Sequence, residues 1–283
     1  MEDYEVLASE FDSVNISEYD PAIWSLESLV ERDSVSYDID EPIDPEVREE
    51  IERTDEEARR KAKNSDSVFY NGALVRLRDF EVNNGVLNID LQNTNYSSHV
   101  GTRGRPELEK ENRADPLSVG AYLRTSDDYM VLGERSGSVE IGGGEYQLAG
   151  AGFIEDPEEQ YERSLNAEPS SPIHRELEEE VNLHWTQITG PRPSALIGAN
   201  HVQPMLVYDT VTVLDSEEVA EEWAEIPESE REFSELIFLP EENPEAALDG
   251  EADILSTTDD SVEERRYEGE LRPHAEGAFD TLL

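Results

Sequence analysis

Residues 146–183 read YQLAGAGFIEDPEEQYERSLNAEPSSPIHRELEEEVNL, and this stretch decides how the rest of the chain is read. Its opening, YQLAGAGFI, is strand-like. From Ser171 to Leu183 the spacing is helical, with Ile173, Leu177, Val181 and Leu183 placed to face a core. Glu176, Glu179 and Glu180 stand at i, i+3 and i+4, so a helix carries their carboxylates on one face. Such a group repels itself unless a cation sits within it. Hard divalent ions take oxygen ligands, and magnesium uses few carboxylates while keeping waters and binding substrate phosphates. The competing interpretation is a solvated acidic face: 69 of 283 residues are Asp or Glu, so a triple glutamate alone decides nothing.

Working outward, GALVRLRDFEV and GVLNIDLQN flank Asn83-Asn84-Gly85 and predict a β-hairpin. A second hairpin is expected after Pro116, where SVGAYLR and YMVLGERS meet across Thr125–Asp128. Downstream, SALIGAN and PMLVYDTVTVL are strands, SEEVAEEWAE an amphipathic helix and ELIFLP a short buried strand. The acidic stretch from Gly250 to Glu264 reads as a loop, and Pro45 after Asp44 suits the start of a helix running to Ala62. Strand, loop, helix and further strands in this order predict an α/β architecture, a mixed sheet sandwiched between helices. The expected division is an appended α+β module over 1–115, whose first 44 residues are an acidic lead segment, and a main domain over 116–283.

The charge balance narrows the partners. With 22 Lys and Arg against 69 Asp and Glu, the net charge of −47 opposes compaction at ordinary ionic strength. At about 1 M salt the screening length falls to about 3 Å, so a carboxylate-covered fold is tolerated there and a salt-accumulating host is expected. Disorder is disfavoured, because 36% of the chain is apolar and it carries eleven Tyr, seven Phe and three Trp. Nucleic acid is excluded as a partner, since its recognition needs basic patches. There is no cysteine, hence no thiolate metal site or disulfide. The start MEDYEVLASEFD lacks a signal pattern and no apolar run approaches the about 18 residues of a membrane span, so a soluble cytoplasmic protein with no membrane partner is expected.

The central stretch also resembles the Nudix box. Gly152, five residues and Glu158 match the start of that pattern; after sixteen residues comes Arg175-Glu176-Leu177-Glu178-Glu179-Glu180-Val181-Asn182-Leu183. The family spacing before the arginine is seven, and Asn182 stands where the family has glycine. An asparagine past a helix end is the usual second choice for a left-handed residue, and nine extra residues in a loop are thermodynamically tolerated. ADPLSVGAYLRTSDDYMVL, Arg135-Ser136, EVNL at 180–183, LRPHAEGA near the end and, upstream, SVFYNGALVRLRDFEV and NTNYSSHVGTR resemble the UDP-glucose- and UDP-galactose-hydrolysing Nudix proteins of animals.

What the resemblance implies is a Nudix-type α/β/α sandwich that hydrolyses a UDP-sugar to UMP and a sugar 1-phosphate. It implies Mg2+, with Mn2+ as the alternative, held by Glu176 and Glu180, and Glu179 at a third acidic position; Glu176 is alternatively a candidate base, and Arg175 belongs to the box. It implies that Ala151 stands where a loop carbonyl meets metal, beside Gly152, with Glu232 or Glu235 as a further ligand. Phe69 and Tyr96 match aromatic positions that stack on uracil, against the ordinary reading of a hairpin aromatic as core. Arg135, in an anionic chain, is a candidate phosphate clamp or a structural ion pair. The five histidines show no close metal spacing. Two other functions fit the same residues: a non-catalytic Nudix module that senses a nucleotide, and a Nudix hydrolase of another nucleoside diphosphate derivative such as an ADP-sugar.

Overall fold

Asn84 and Gly85, with φ of 54° and 78°, form the two-residue turn that the sequence predicts, since both central positions of such a turn need positive φ. They join β3 (Ala73–Asn83) to β4 (Val86–Asn95), paired from Asn83 opposite Val86 to Ala73 opposite Asn95 with one register shift between Leu77 and Asp79. In this computed structural model, residues 4–20, 53, 73–102, 113–136, 144–154, 172–199, 203–258, 261–267 and 269–282 are described. The hairpin takes β2 (Ser13–Asp20) as a parallel neighbour of β4, giving a three-stranded sheet.

The larger sheet has nine strands. It contains β1 (Tyr4–Ser9), β5 (Ser118–Arg124), β6 (Tyr129–Arg135), β7 (Tyr146–Phe153), β8 (Ile188–Ala199), β9 (Gln203–Thr212), β10 (Phe233–Pro240), β11 (Asp253–Thr258) and β12 (Ser261–Arg266). Their order is β1-β8-β9-β5-β7-β6-β10-β11-β12. The β5–β9 pair is parallel and the others are antiparallel, so the sheet is mixed.

Alternation along these strands feeds two cores, because successive side chains leave opposite faces of a sheet. Val119, Ala121 and Leu123 of β5 join one core, and Tyr122 joins the other. Leu236 and Phe238 of β10 face the first, Ile237 and Leu239 the second. The first core is closed by α2 (Pro172–Val181) through Ile173, Leu177 and Val181, by α3 (Ser216–Ala224) through Val219 and Trp223, and by the three-stranded sheet through Val75, Leu87, Ile89 and Leu91. The second is closed by α4 (Pro244–Leu248) through Ala247 and by α5 (Pro273–Leu282) through Ala275, Ala278 and Phe279. A further short helix, α1 (Tyr96–Thr102), follows β4 directly. The architecture is mixed α/β, with a large mixed sheet covered on both faces.

One expectation is corrected. The acidic stretch from Gly250 to Glu264 is not a loop: it contains β11 and most of β12, an antiparallel pair at the sheet's edge. Charge masks the alternation, in which Ile254 enters the second core while the ion pair Arg266–Asp253, at 2.9 Å, sits at the exposed end. Such charged edges also discourage pairing with another chain.

The acidic lead contributes to both sheets, since β1 pairs with β8 and β2 with β4. The expected helix from Pro45 to Ala62 lies outside the described residues apart from Arg53, which is helical. Among the described residues no helix is long and apolar enough to cross a membrane.

Candidate active site

β7 and α2 meet over two glycines. At Gly150, φ is +65°, and a Cβ there would lie 2.8 Å from Leu177. At Gly152 a Cβ would lie 2.2 Å from the Glu176 carboxyl carbon. The strand therefore leaves Gly152 bare so that an acidic side chain can lie against its backbone. The helix presents Leu177 to the core and Glu176 and Glu180 to β7, all three buried, while Glu178 and Glu179 are exposed.

Glu180 is only 2% exposed. Its Oε2 accepts a hydrogen bond from the Ala151 backbone N–H at 2.9 Å, and its Oε1 is buried with no hydrogen-bond partner. Burial pushes its pKa well above the usual carboxylate value; the charges of Glu232 and Glu176 push the same way, against the Ala151 N–H and Arg135. Glu176 is also raised by burial, opposed by Arg175, with Glu179 and Glu232 adding to the rise. Arg175 Nη2 donates to Glu176 Oε1 at 2.6 Å and to the Phe153 carbonyl at 3.3 Å, tying helix to strand.

The helix ends as its sequence predicts. Asn182 has φ of 60°, Leu183 N–H donates to the Leu177 carbonyl at 3.1 Å and Asn182 N–H to the Glu178 carbonyl at 3.1 Å. This is a left-handed cap. The Asn182 side chain adds what glycine lacks, donating to the Glu222 carbonyl at 3.0 Å and so fastening α2 to α3.

The other candidates separate. Arg135 ends β6 and donates from Nη1 to Gln147 Oε1 at 2.9 Å; among the described residues no carboxylate lies within ion-pair distance of it. Glu232 acts electrostatically on both Glu176 and Glu180. Glu235 is engaged elsewhere: Arg265 Nη2 donates to its Oε2 at 2.7 Å and the Tyr146 hydroxyl at 2.9 Å. Tyr96 opens α1, its ring 6.1 Å from that of His99, which meets Phe153 edge-on at 5.0 Å, so this aromatic column ends on the strand that carries Gly152. Phe69 and Glu158 lie outside the described residues. Gln147 escaped the sequence reading, although a polar residue inside the buried YQLAG run was the signal for it.

Among the described residues no three carboxylate or imidazole groups converge closely enough to hold a metal as they stand. Two carboxylates do share this site. A divalent cation fits them on chemical grounds, because a buried carboxylate oxygen without a donor, beside further anionic groups, is what a cation would satisfy.

No known family profile matches the chain, and no curated protein matches it. Among solved structures, DR0079 from Deinococcus radiodurans aligns at 22% identity over 39% of this chain and 62% of that one, with a TM-score of 0.27. The aligned part thus spans less than two thirds of that protein, and at this level the likeness carries neither fold nor function.

Proposed function

We propose that the chain is a Nudix-type hydrolase that cleaves the diphosphate of a nucleotide sugar, with UDP-glucose and UDP-galactose as the expected substrates and UMP and a sugar 1-phosphate as products. The observation that carries this reading is Glu180: a buried carboxylate with one oxygen on the Ala151 N–H and the other without a donor, next to buried Glu176 over Gly152.

Glu176 and Glu180 would hold Mg2+ or Mn2+, which supplies Lewis-acid neutralisation of phosphoryl oxygens and an acidified water when bound. The chain's own groups do the rest. The Ala151 N–H fixes one Glu180 oxygen, so that carboxylate cannot swing away from α2's inner face. Arg175 holds Glu176 Oε1 and leaves Oε2, which would either join Glu180 on the cation or, in place of that, accept a proton from the attacking water as its oxygen bonds to phosphorus and the anhydride P–O bond breaks. The raised basicity that burial confers on Glu176 suits that role. Arg135 lies on the same side of the sheet to meet phosphoryl charge.

A second reading, a nucleotide-binding module without turnover, is favoured by Glu179, which is exposed rather than gathered with Glu176 and Glu180. The deciding experiment measures UMP release from UDP-glucose in molar KCl, with and without Mg2+, for the native chain and Glu180→Gln. Mg2+-dependent release lost in the variant is expected. Release unchanged in Glu180→Gln would refute the site, and nucleotide binding without turnover would establish the second reading. An ADP-sugar offered in competition distinguishes the base. The acidic surface accords with a salt-rich cytoplasm as the setting.

A further inference from the structure

Several arginines in this acidic chain close on carboxylates: Arg124 on Asp209 at 2.6 Å, Arg265 on Glu235 at 2.7 Å, Arg266 on Asp253 at 2.9 Å. Among the described residues Arg135 has no carboxylate partner, and Arg272 has only a loose ion pair with Glu145. Arg135 bonds a neutral amide, Gln147, and Arg272 has Nε 3.8 Å from Glu145 Oε2, beyond hydrogen-bond reach. Both are gathered by three consecutive residues. Arg135 N–H donates to the Glu145 carbonyl at 3.0 Å, Arg272 N–H to the Tyr146 carbonyl at 2.8 Å, and Arg135 Nη1 to Gln147 Oε1 at 2.9 Å.

The gathering leaves donors unused. Arg135 Nε and Gln147 Nε2 are buried without partners, and Gln147 is 7% exposed. Gln147 lies between Tyr146 and Leu148, which belong to the second core, so it faces the side of the sheet that carries α2. Arg272 is held below the ordinary arginine pKa, first by burial and then by the charge of Arg135, so two cations crowd together where carboxylates are plentiful. The same Arg135 charge reaches Glu180. Unsatisfied donors and like charges placed together are the inverse of the carboxylate pair beside them; an anion relieves them as a cation relieves Glu176 and Glu180.

We propose that Arg135, Gln147 and Arg272 form an anion subsite that takes the non-bridging phosphoryl oxygens of a diphosphate lying against Glu176 and Glu180. The proposal rests on the reading of that carboxylate pair as the cleavage site. It adds a cationic wall from the segment just before α5, held in position by backbone bonds to β7. The planar guanidinium of Arg272 offers a two-pronged contact, and the Gln147 amide contributes a neutral donor that does not compete for the metal.

The test is calorimetric titration of the full chain with inorganic pyrophosphate in about 1 M KCl and a chelator, conditions in which the overall negative charge is screened. Saturable binding is expected in the native chain. It should weaken about tenfold or more in Arg272→Gln and in Gln147→Leu, the scale of a lost hydrogen bond to a charged group. Arg272→Lys, with charge but no fork, should fall between. Melting curves identify any variant that fails to fold, and the folded one then decides. No pyrophosphate binding, or equal binding in folded Arg272→Gln and Gln147→Leu, overturns the subsite. Binding that depends on these residues without Mg2+-dependent turnover of UDP-sugars sinks the hydrolase reading and leaves the subsite standing; turnover with unaltered pyrophosphate binding does the reverse.

Discussion

At Gly152 a single missing Cβ decides whether Glu176 can occupy its place. Alanine there would put a methyl group 2.2 Å from the Glu176 carboxyl carbon, and the backbone at 152 carries no positive φ, so the conflict is steric. Gly152→Ala is therefore expected to cost about 1–3 kcal/mol of stability, the ordinary range for overpacking, while displacing Glu176 and removing most Mg2+-dependent turnover. Thermal melting and steady-state rates measure the two effects; full turnover in a folded Gly152→Ala protein would detach Glu176 from the chemistry. Helical spacing made Glu176 and Glu180 stand out in the sequence, and the resemblance to the Nudix box picked out Gly152 and Arg175. Gln147 was not legible, because what marks it is an unpaired amide nitrogen on a side chain bonded to Arg135, and that depends on which face of β7 each residue takes. Nor could sequence distinguish Glu179 from Glu180: both fit a helical acidic face, and only packing against β7 buries one and exposes the other.

Among the elements, α5 carries a built-in acid sensitivity. His274, in its first turn, is buried and its ring Nε2 donates to the Gln203 carbonyl at 2.7 Å. Burial holds its pKa down from 6.5 to about 4, with Arg272 acting in the same direction and the Gln203 bond opposing. A depressed folded pKa means that the unfolded chain takes up the proton first. The contribution is thus fully present above pH 6.5 and is lost as pH falls towards 4, on the order of 3 kcal/mol for a shift of this size. Denaturant unfolding at pH 7 and pH 5 in constant KCl should show a larger loss for the native chain than for His274→Gln; equal losses would show that this imidazole is not the cause. The elements themselves were legible where periodicity was strong. The hairpin at Asn84-Gly85, α2, α3 and the buried run of β10 follow their sequence patterns. The β11–β12 pair did not show through, because its charged residues dominate the composition while its alternation rests on Ile254, Ser256 and the ion pair of Asp253 with Arg266.

For the whole molecule, the net charge of −47 governs the behaviour of everything outside the core. Between about 0.1 and 1 M KCl the screening length falls from about 10 Å to about 3 Å, so repulsion among surface carboxylates is largely removed while the buried Glu176–Glu180 pair is screened much less. The melting temperature should therefore rise steeply across that range, and Mg2+ should add a further rise in the native chain that Glu180→Gln lacks. A melting temperature indifferent to KCl would contradict the expected halophilic character. Mixed α/β class was legible at this scale, but not the way the first twenty residues divide between two sheets, since β1 and β2 carry no mark of their distant partners.

That division has a consequence for how the chain is made. β1 is synthesised long before β8, yet it pairs with Ala195–Ala199 at the end of that strand, and the Tyr4 hydroxyl donates to Asp280 in α5. β1 must therefore wait, unpaired, until β8 has been synthesised. Closure of this side of the large sheet is a long-range event, and a chain lacking β1 would leave β8 uncovered and ready to join a neighbour's strand.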